Sequence, residues 1–491
     1  MSSREAYLAA RVLNALLRED YGGLASRVTR TRDGVGLTLA DGRWVRLRPG
    51  LLFQDFEVAQ DESLGLEQVL ETLAEVADPA DAGGVAAFFE ECLAALGALE
   101  LHDEVAHEVL RSGPSYETLA AFLDHPVYPT SRARVGLSEA ELRAYAPEFG
   151  PSFELRWAVV PRELLAPGSA ELPAEVAPFA GEVLFPVHPL AVAEVRRIDG
   201  VRVLDAAAVT VRPTLSMRTV GVSPRLHLKL PIPVSTLGVR NRRSLKPGTL
   251  ADGARAELLL RELAGPDVVL ADEQTYAETG DEYLAWMVRR LPEGRIVPVA
   301  ALNAPGVLAE LGDVLPAYLR LLLRWNVRLF VRHGVALEAH QQNLALLFAP
   351  DGRMRLLVKD NDGLLASPSR LRASGVEVPD FADERLLNDD PHALADVFVT
   401  ITLHLAAASV VFGALPHAEA AALLRDTLAE ALDEYDDDPM ARLLRARTLD
   451  AARLTGKSMV TAGTLVAKER SGARDINKFY GTSGPNYLRR A

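Results

Sequence analysis

Two apolar runs, Leu344–Phe348 (LALLF) and Met354–Val358 (MRLLV), flank a short stretch containing Pro350, Asp351 and Gly352. Turn residues of these types between apolar runs predict a hairpin. Polar groups crowd its open end: His333, Glu338, His340, Gln342 and Asn343 precede the first run, and Lys359 and Asp360 follow the second. Hairpin closure would therefore carry Asp360 back towards Asn343 and Glu338. Glu338, His340 and Gln342 are two apart, so an extended chain would point all three to one face. Carboxylates and an amide oxygen, with a histidine beside them, suit Mg²⁺ holding a nucleoside triphosphate. An ordinary hairpin with a wet face is the other reading of the same spacing.

The chain has 491 residues, enough for two or three domains with sizeable cores. Apolar residues make up 49% and charged residues 24%, the balance of a water-soluble globular protein. The net charge of −14 argues against a general nucleic-acid binder, which needs a basic face. The single cysteine, Cys92, excludes an internal disulfide and a cysteine-based metal cluster; its helical surroundings predict a core position. The first residues lack the apolar centre of a signal peptide, and no uninterrupted apolar segment of spanning length stands out. A cytoplasmic location without membrane association is the expectation.

In chain order, a helix is predicted over 5–19, a small antiparallel meander over 25–48, and helices near 65–77 and 84–111. At His125 the chemistry begins. HPVYPTSRARVG is a shaped loop with two prolines, and its Arg132 and Arg134 beside hydroxyls suit an anion. Strands are predicted at 153–160, 183–187 and through 201–240. There Ser216, Arg218, Thr219, Lys229 and Arg240 fall at strand ends, a cradle for carboxylate or phosphate. Lys229 lies among apolar residues, and a charge buried there needs a partner. Residues 255–263 and 281–290 carry helix-like patterning. Residues 313–332 predict the clearest helix, feeding His333 directly. Helices follow over 384–435 and 438–456. The basic, glycine-punctuated end is expected as a loosely held tail or as a cover whose Lys457, Lys468 or Arg470 closes over a site.

No nucleophile elbow, zinc motif, dinucleotide glycine loop or GxxxxGK[ST] is present. Cations, hydroxyls, imidazoles and a Mg²⁺ site suit ATP-dependent activation of a carboxylic acid, which requires no protein nucleophile. They also suit a small-molecule kinase, because an Asn followed by an Asp across a hairpin matches kinase metal logic. The residues alone leave both open, together with a non-catalytic binding protein.

HPVYPTSRARVG resembles the GHPxHPxxKxRxG segment of the NRPS-independent siderophore synthetases, the aerobactin synthetase or IucA/IucC family. YAPEFGPSFELRWAVV, FPVHPL, PTLSMRTV, HLKLPIPVSTLGVRN and HGVALEAHQQNLALLF resemble family segments in the family's order, from about Asp124 to Gly363. The resemblance implies an α+β fold like a cupped hand: a thumb over 1–120, fingers over 121–310, and a mostly helical palm over 311–491. It implies Mg²⁺-dependent adenylation of a carboxylic acid by ATP, then attack by an amine, hydroxylamine or alcohol, and a homodimer. By the same resemblance Ser216, Arg218, Thr219 and Lys229 hold ATP phosphates, with His188 and Arg132 near the nucleotide. Arg240 and His340, with Lys229, carry the chemistry at the carboxylate. Glu338, Gln342, Asn343 and Asp360 surround the nucleotide and metal, the metal falling to Glu338, Asn343 and Asp360. Tyr128, Arg132, Leu190-Ala191 and Lys359-Asp360-Asn361 depart from the pattern, which leaves the acid open among citrate, other di- and tricarboxylates and succinyl-type acids.

Overall fold

A computed structural model describes residues 2–176, 183–472 and 479–489. The chain is α+β, with three packed bodies meeting at one cleft. In the N-terminal body, Ser2 caps the helix Ser3–Arg18 by accepting from the Glu5 amide. Leu8, Val12, Leu13 and Leu16 then form one buried stripe. That stripe packs against the antiparallel meander Thr29–Thr31, Gly34–Thr38, Trp44–Pro49 and Phe56–Val58 and the helices Leu66–Val76 and Ala82–Arg111. Cys92 is buried in this core, as its setting predicted.

The second body is a seven-stranded antiparallel sheet. Its order is Asp272–Glu278, Ala285–Arg290, Leu226–Lys229, Thr219–Ser223, Arg202–Pro213, Phe153–Val159 and Leu184–Val187. The helix expected over 281–290 is instead the strand Ala285–Arg290. Trp286 and Val288 enter one core while Ala285 and Met287 enter another. A strand buried on both faces shows no alternation, which is why its sequence reads as helical.

The third body carries the hairpin. Leu344 pairs with Val358 and Phe348 with Met354, across a turn where Gly352 has φ 78°. The hairpin sits in a mixed four-stranded sheet, with Val268–Leu270 parallel to Leu356–Val358 and Arg295–Pro298 antiparallel to Leu344–Phe348. Helix Leu315–Arg328 widens into a π turn over Leu329–His333 and stops at Gly334, φ 65°. A Cβ at Gly334 would lie 2.7 Å from that of Arg370, so both backbone and space require glycine. This core takes Ala256, Leu260 and Val268 as well as Leu319 and Leu346, so it draws on both sides of the division expected at 310.

Two expectations for the C-terminal part are corrected. The helix over 438–456 ends at Arg447, and Arg453–Gly456 is a strand paired with Thr482–Pro485. The end of the chain is no loose tail: Tyr487 and Leu488 are wholly buried. Residues 473–478 of that segment lie outside the described residues. Two buried carboxylates of the N-terminal body tie down the stretch that follows Lys457. Glu19 accepts from the amides of Val460 and Thr461, and Glu91 accepts from the hydroxyls of Thr130 and Thr464.

Two helices, Pro79–Arg111 and Pro391–Ala414, are long and apolar enough to cross a membrane, contrary to the sequence reading. Their most apolar windows are 39% and 78% buried in the protein's own cores, the second as a core helix.

The seam between the N- and C-terminal segments is tight at Gly84, where a Cβ would lie 1.9 Å from the Leu465 carbonyl oxygen. Gly84→Ala is expected to destabilise the fold by about 1–3 kcal/mol, the usual range for overpacking. An unchanged urea midpoint would show that the seam is not packed this closely.

Candidate active site

The loop after Asp124 is held in shape by its own side chains. His125 Nδ1 accepts from the amides of Val127 (3.2 Å) and Tyr128 (3.0 Å). Ser131 Oγ accepts from the His125 amide at 3.1 Å. Arg132 Nε donates to Asp124 at 3.0 Å and Arg134 donates to Glu148 at 3.3 Å, so both guanidiniums have carboxylate partners. Tyr128, one of the departures from the family pattern, is fully buried with its hydroxyl 3.3 Å from that of Thr464. That side chain is a structural plug in the N-terminal core.

On the central sheet, Ser216 Oγ accepts from the Thr219 amide at 3.0 Å, and Arg218 donates to the Ser244 carbonyl at 2.7 Å. Lys229 is 1% exposed and is paired with two carboxylates, Asp360 and Asp362, the latter at 3.0 Å. Arg289, bound to Glu273, lies 3.6 Å from Asp360. Burial alone would raise the Asp360 carboxyl, but Lys229 and then Arg289 hold it far below the usual carboxylate range. Burial is the main influence pushing the Glu273 carboxyl up. Asp360 has φ 65°, a left-handed conformation that lets the chain turn out of the hairpin. The departure at Lys359 is also accounted for: its ammonium meets Glu117 at 3.2 Å, and Glu117 accepts from the Leu215 amide.

The extended, one-faced arrangement expected for Glu338, His340 and Gln342 is corrected. The strand Val335–Leu337 stops before them, and the next begins at Leu344. Between the two, the His340 amide donates to the Glu338 carbonyl and the Asn343 amide to that of His340. Local bonds of this kind replace a ladder that has no neighbouring strand to join. His340 Nδ1 accepts from the Gln342 amide at 3.3 Å, which leaves the proton on Nε2. Burial and then the Lys457 cation push His340 down to about 4. Burial and then His340 push His125 down to about 3. Both imidazoles are neutral at pH 7.

A cavity of about 210 Å³ opens where the three bodies meet. It is lined by Arg132, Ser216, Glu338, His340 and Gln342 of the sequence-derived candidates, and also by His125, Arg134, Thr236, Asn241, Arg243 and Lys457. Lys457 was one of three candidate covers. Of the others, Arg470 is paired with Asp78 and Asp81 on the N-terminal body. Lys229 and Asp360 belong to the charged cluster described above, and neither they nor Arg218 and Thr219 line the cavity. Arg240 also lies off the wall and donates to the Ala462 carbonyl at 3.2 Å. His188 is wholly buried, ringed by Tyr145 and Phe153, with Nδ1 accepting from the Leu190 amide. Asn343 donates to the Glu338 carbonyl at 3.4 Å. Among the described residues no group of three His, Cys, Asp or Glu side chains is gathered for a metal ion. A second cavity of about 550 Å³ shares Leu123, Asp124, Pro126, Ala300 and Gln341 with the first.

Asp362, Arg289 and Glu273 escaped the sequence reading. Asp362 repeats Asp360 two residues on, and Arg289 follows the apolar residues Ala285–Val288 in a strand that ends at Arg290. Each was a visible signal of a buried pair.

Residues 115–304, which hold the loop and most of the sheet, match the IucA/IucC family model. This segment is of the IucA/IucC family. Residues 315–468 match a second model, described as a ferric iron reductase FhuF-like transporter, although the chain's one cysteine lies outside them. An uncharacterised protein of Sinorhizobium fredii is 28% identical, the alignment covering 50% of each chain. The rhizobactin siderophore biosynthesis protein RhbC of Rhizobium meliloti is 24% identical, covering 54% of this chain and 57% of that one. The chain thus spans about half the length of these curated relatives. Staphyloferrin B synthase of Staphylococcus aureus is 23% identical, covering 82% of this chain and 83% of that one. The fold is that of the petrobactin biosynthesis protein AsbB of Bacillus anthracis (TM-score 0.75, 18% identity, 100% of this chain and 96% of that one). It is also that of ATP-bound aerobactin synthetase IucA of Klebsiella pneumoniae (TM-score 0.73, 18% identity, 98% and 99% covered).

Burial pushes His188, His227 and His404 down to about 3 from an ordinary 6.5. Their folded pKa values lie below the unfolded ones, so the unfolded chain takes up protons first as pH falls. Stability is complete above about pH 6.5 and drops below it, by up to about 1.4 kcal/mol per pH unit for each histidine. Melting temperatures measured from pH 7.5 to 4 should fall steeply below 6.5; a flat profile would mean these imidazoles are solvated.

Proposed function

We propose that this protein is an ATP- and Mg²⁺-dependent ligase that adenylates a small carboxylic acid and joins it to an amine, hydroxylamine or alcohol. The observation that carries this reading is a cavity walled by two neutral imidazoles with Lys457 and Arg243, beside a buried ion-pair cluster. The IucA/IucC match over the same loop and sheet supports it, as do the siderophore-synthesis names of the relatives.

Two displacements make up the reaction. A carboxylate oxygen of the acid attacks the α-phosphorus of ATP, and pyrophosphate leaves. The nucleophile's nitrogen or oxygen then attacks the acyl carbon; AMP leaves and the nucleophile loses a proton. Lys229, Arg218 and Ser216 would hold phosphate oxygens, the triphosphate competing with Asp360 and Asp362 for Lys229. Asp360, with Glu338 and Asn343, would hold Mg²⁺, which binds through one or two carboxylates and takes its remaining ligands from phosphates. Bound there, Mg²⁺ would neutralise charge on the departing pyrophosphate. His340, neutral with its proton on Nε2, donates a hydrogen bond to the acyl oxygen as the nucleophile attacks. The second cavity gives the nucleophile an approach past Asp124 and Gln341. Use of ATP places the work in the cytoplasm, and the same reading expects a homodimer, which light scattering would measure.

Incubation with Mg²⁺-ATP, hydroxylamine and a panel of mono-, di- and tricarboxylic acids should give acid-dependent AMP, pyrophosphate and hydroxamate. ADP with a phosphorylated acceptor would replace the ligase with a kinase. His340→Ala should lower kcat by about 10²–10³-fold, the usual loss for one preorganised donor. Near-normal turnover in that variant would remove His340 from the chemistry. Asp360→Asn should raise the KM for Mg²⁺-ATP and leave the acid's KM unchanged. Unaltered dependence on Mg²⁺ would count against Asp360 as a metal ligand.

A further inference from the structure

Glu117 lies in the helix Tyr116–Ala121, which Ser115 caps by accepting from the Thr118 amide at 3.1 Å. One of its oxygens accepts from the Leu215 amide at 3.0 Å, and the other meets the Lys359 ammonium at 3.2 Å. Leu215 adjoins Ser216, and Lys359 adjoins Asp360. A single carboxylate thus grips the chain beside a residue assigned to phosphate and beside a residue assigned to the metal. The Glu117 side chain is 18% exposed and that of Lys359 9%, so water and salt screen the pair weakly.

The turn that Glu117 holds needs an anchor. It joins strands Arg202–Pro213 and Thr219–Ser223, and its Met217 is 1% exposed at φ 59°. A non-glycine residue keeps that left-handed conformation only where its surroundings impose it. Within the turn, the Met217 amide donates to the Thr214 carbonyl at 2.9 Å and the Thr219 amide to Ser216 Oγ at 3.0 Å. Arg218 ties the turn to Ser244, and Arg134 donates to the Met217 sulfur. Through Lys359, Glu117 ties it to the hairpin. There the Lys359 amide donates to the Asn343 carbonyl at 3.0 Å and the Asp360 amide to Glu273 at 2.9 Å, which fixes the backbone that Glu117 pulls on.

Lys229 with Asp360 and Asp362 joins the same sheet and hairpin. In the ligase reading a triphosphate competes for Lys229, which weakens that tie just when the cleft must keep its geometry. The pair of Glu117 and Lys359 does not use Lys229, and neither member lines the cavity. It would outlast the arrival of nucleotide.

We propose that Glu117 is a positioning residue: paired with Lys359, it holds the Ser216–Arg218 turn in register with Asp360 while Mg²⁺-ATP is bound. This rests on the ligase reading, which places Ser216, Arg218 and Asp360 around the nucleotide and its metal.

The test combines calorimetric binding of the Mg²⁺ complex of α,β-methylene-ATP, without acid, with the hydroxamate assay. Glu117→Ala should weaken binding of the analogue and lower kcat/KM for Mg²⁺-ATP by about 100-fold, the loss that a small misplacement brings, with the acid's KM unchanged. Glu117→Gln, which keeps an acceptor for the Leu215 amide, should recover part of the loss. Lys359→Met should repeat the effect of Glu117→Ala, and Lys359→Arg should recover part of it. Combining Glu117→Ala with Lys359→Met should do no further harm, because residues that act as one unit are not additive. A merely structural pair would lower the melting temperature and leave the KM for Mg²⁺-ATP of the folded protein as it was. Should Glu117→Ala lose its cooperative melt, Lys359→Met carries the same test. Wild-type analogue affinity and wild-type KM for Mg²⁺-ATP in the folded variants would overturn the proposal and leave the ligase intact. Nucleotide binding that depends on Glu117, with ADP formed in place of AMP, would uphold it and remove the ligase. If wild-type protein neither binds the analogue nor consumes ATP, the proposal falls.

Discussion

Lys229 and the two aspartates at the mouth of the hairpin hold the catalytic cleft in register. A lysine 1% exposed cannot stay charged among apolar neighbours without partners, and its partners lie on a different body of the protein. The pair therefore fixes the central sheet against the hairpin sheet, and Arg289 with Glu273 extends the network on the sheet side. Breaking a buried pair on one side leaves an uncompensated charge, so the arrangement is held firmly even though its net stabilisation is modest. In the proposed ligase these are the groups that a triphosphate and its metal would engage.

The cleft also depends on a contact between chain segments far apart in sequence. Glu19, at the end of helix Ser3–Arg18, and Glu91, in helix Ala82–Arg111, fasten the stretch after Lys457 by bonds to its amides and hydroxyls. Lys457, which lines the cavity, immediately precedes that fastened stretch. The chain end closes over the core through Tyr487 and Leu488, and His404, stacked on Phe53, bonds to both Tyr487 and Thr455. Polar groups buried this deeply specify one arrangement because every alternative leaves some of them unpaired.

Much of this was legible in local patterns. The hairpin register follows from two apolar runs and a Pro-Asp-Gly turn, and helix Leu315–Arg328 follows from its leucine stripe. Lys229 announced a partner by standing among apolar residues. What misled was also physical. Ala285–Arg290 is covered on both faces and so lost the alternation that marks a strand. Glu338–Asn343 has strand spacing but no strand beside it, so its backbone bonds locally.

By itself the sequence determined the elements whose periodicity or turn chemistry is written within a few residues. It also settled the absence of a disulfide framework and the family resemblance from about Asp124 to Gly363. Only the tertiary structure decided which charges lack a counter-ion. Arg132, Arg134, Arg240 and Arg243 read alike in the chain. Asp124, Glu148 and the Ala462 carbonyl satisfy the first three, while nothing among the described residues reaches the fourth. Pairing across elements depends on distances between residues up to 442 positions apart, as for Glu19 and Thr461, and no local pattern encodes those distances.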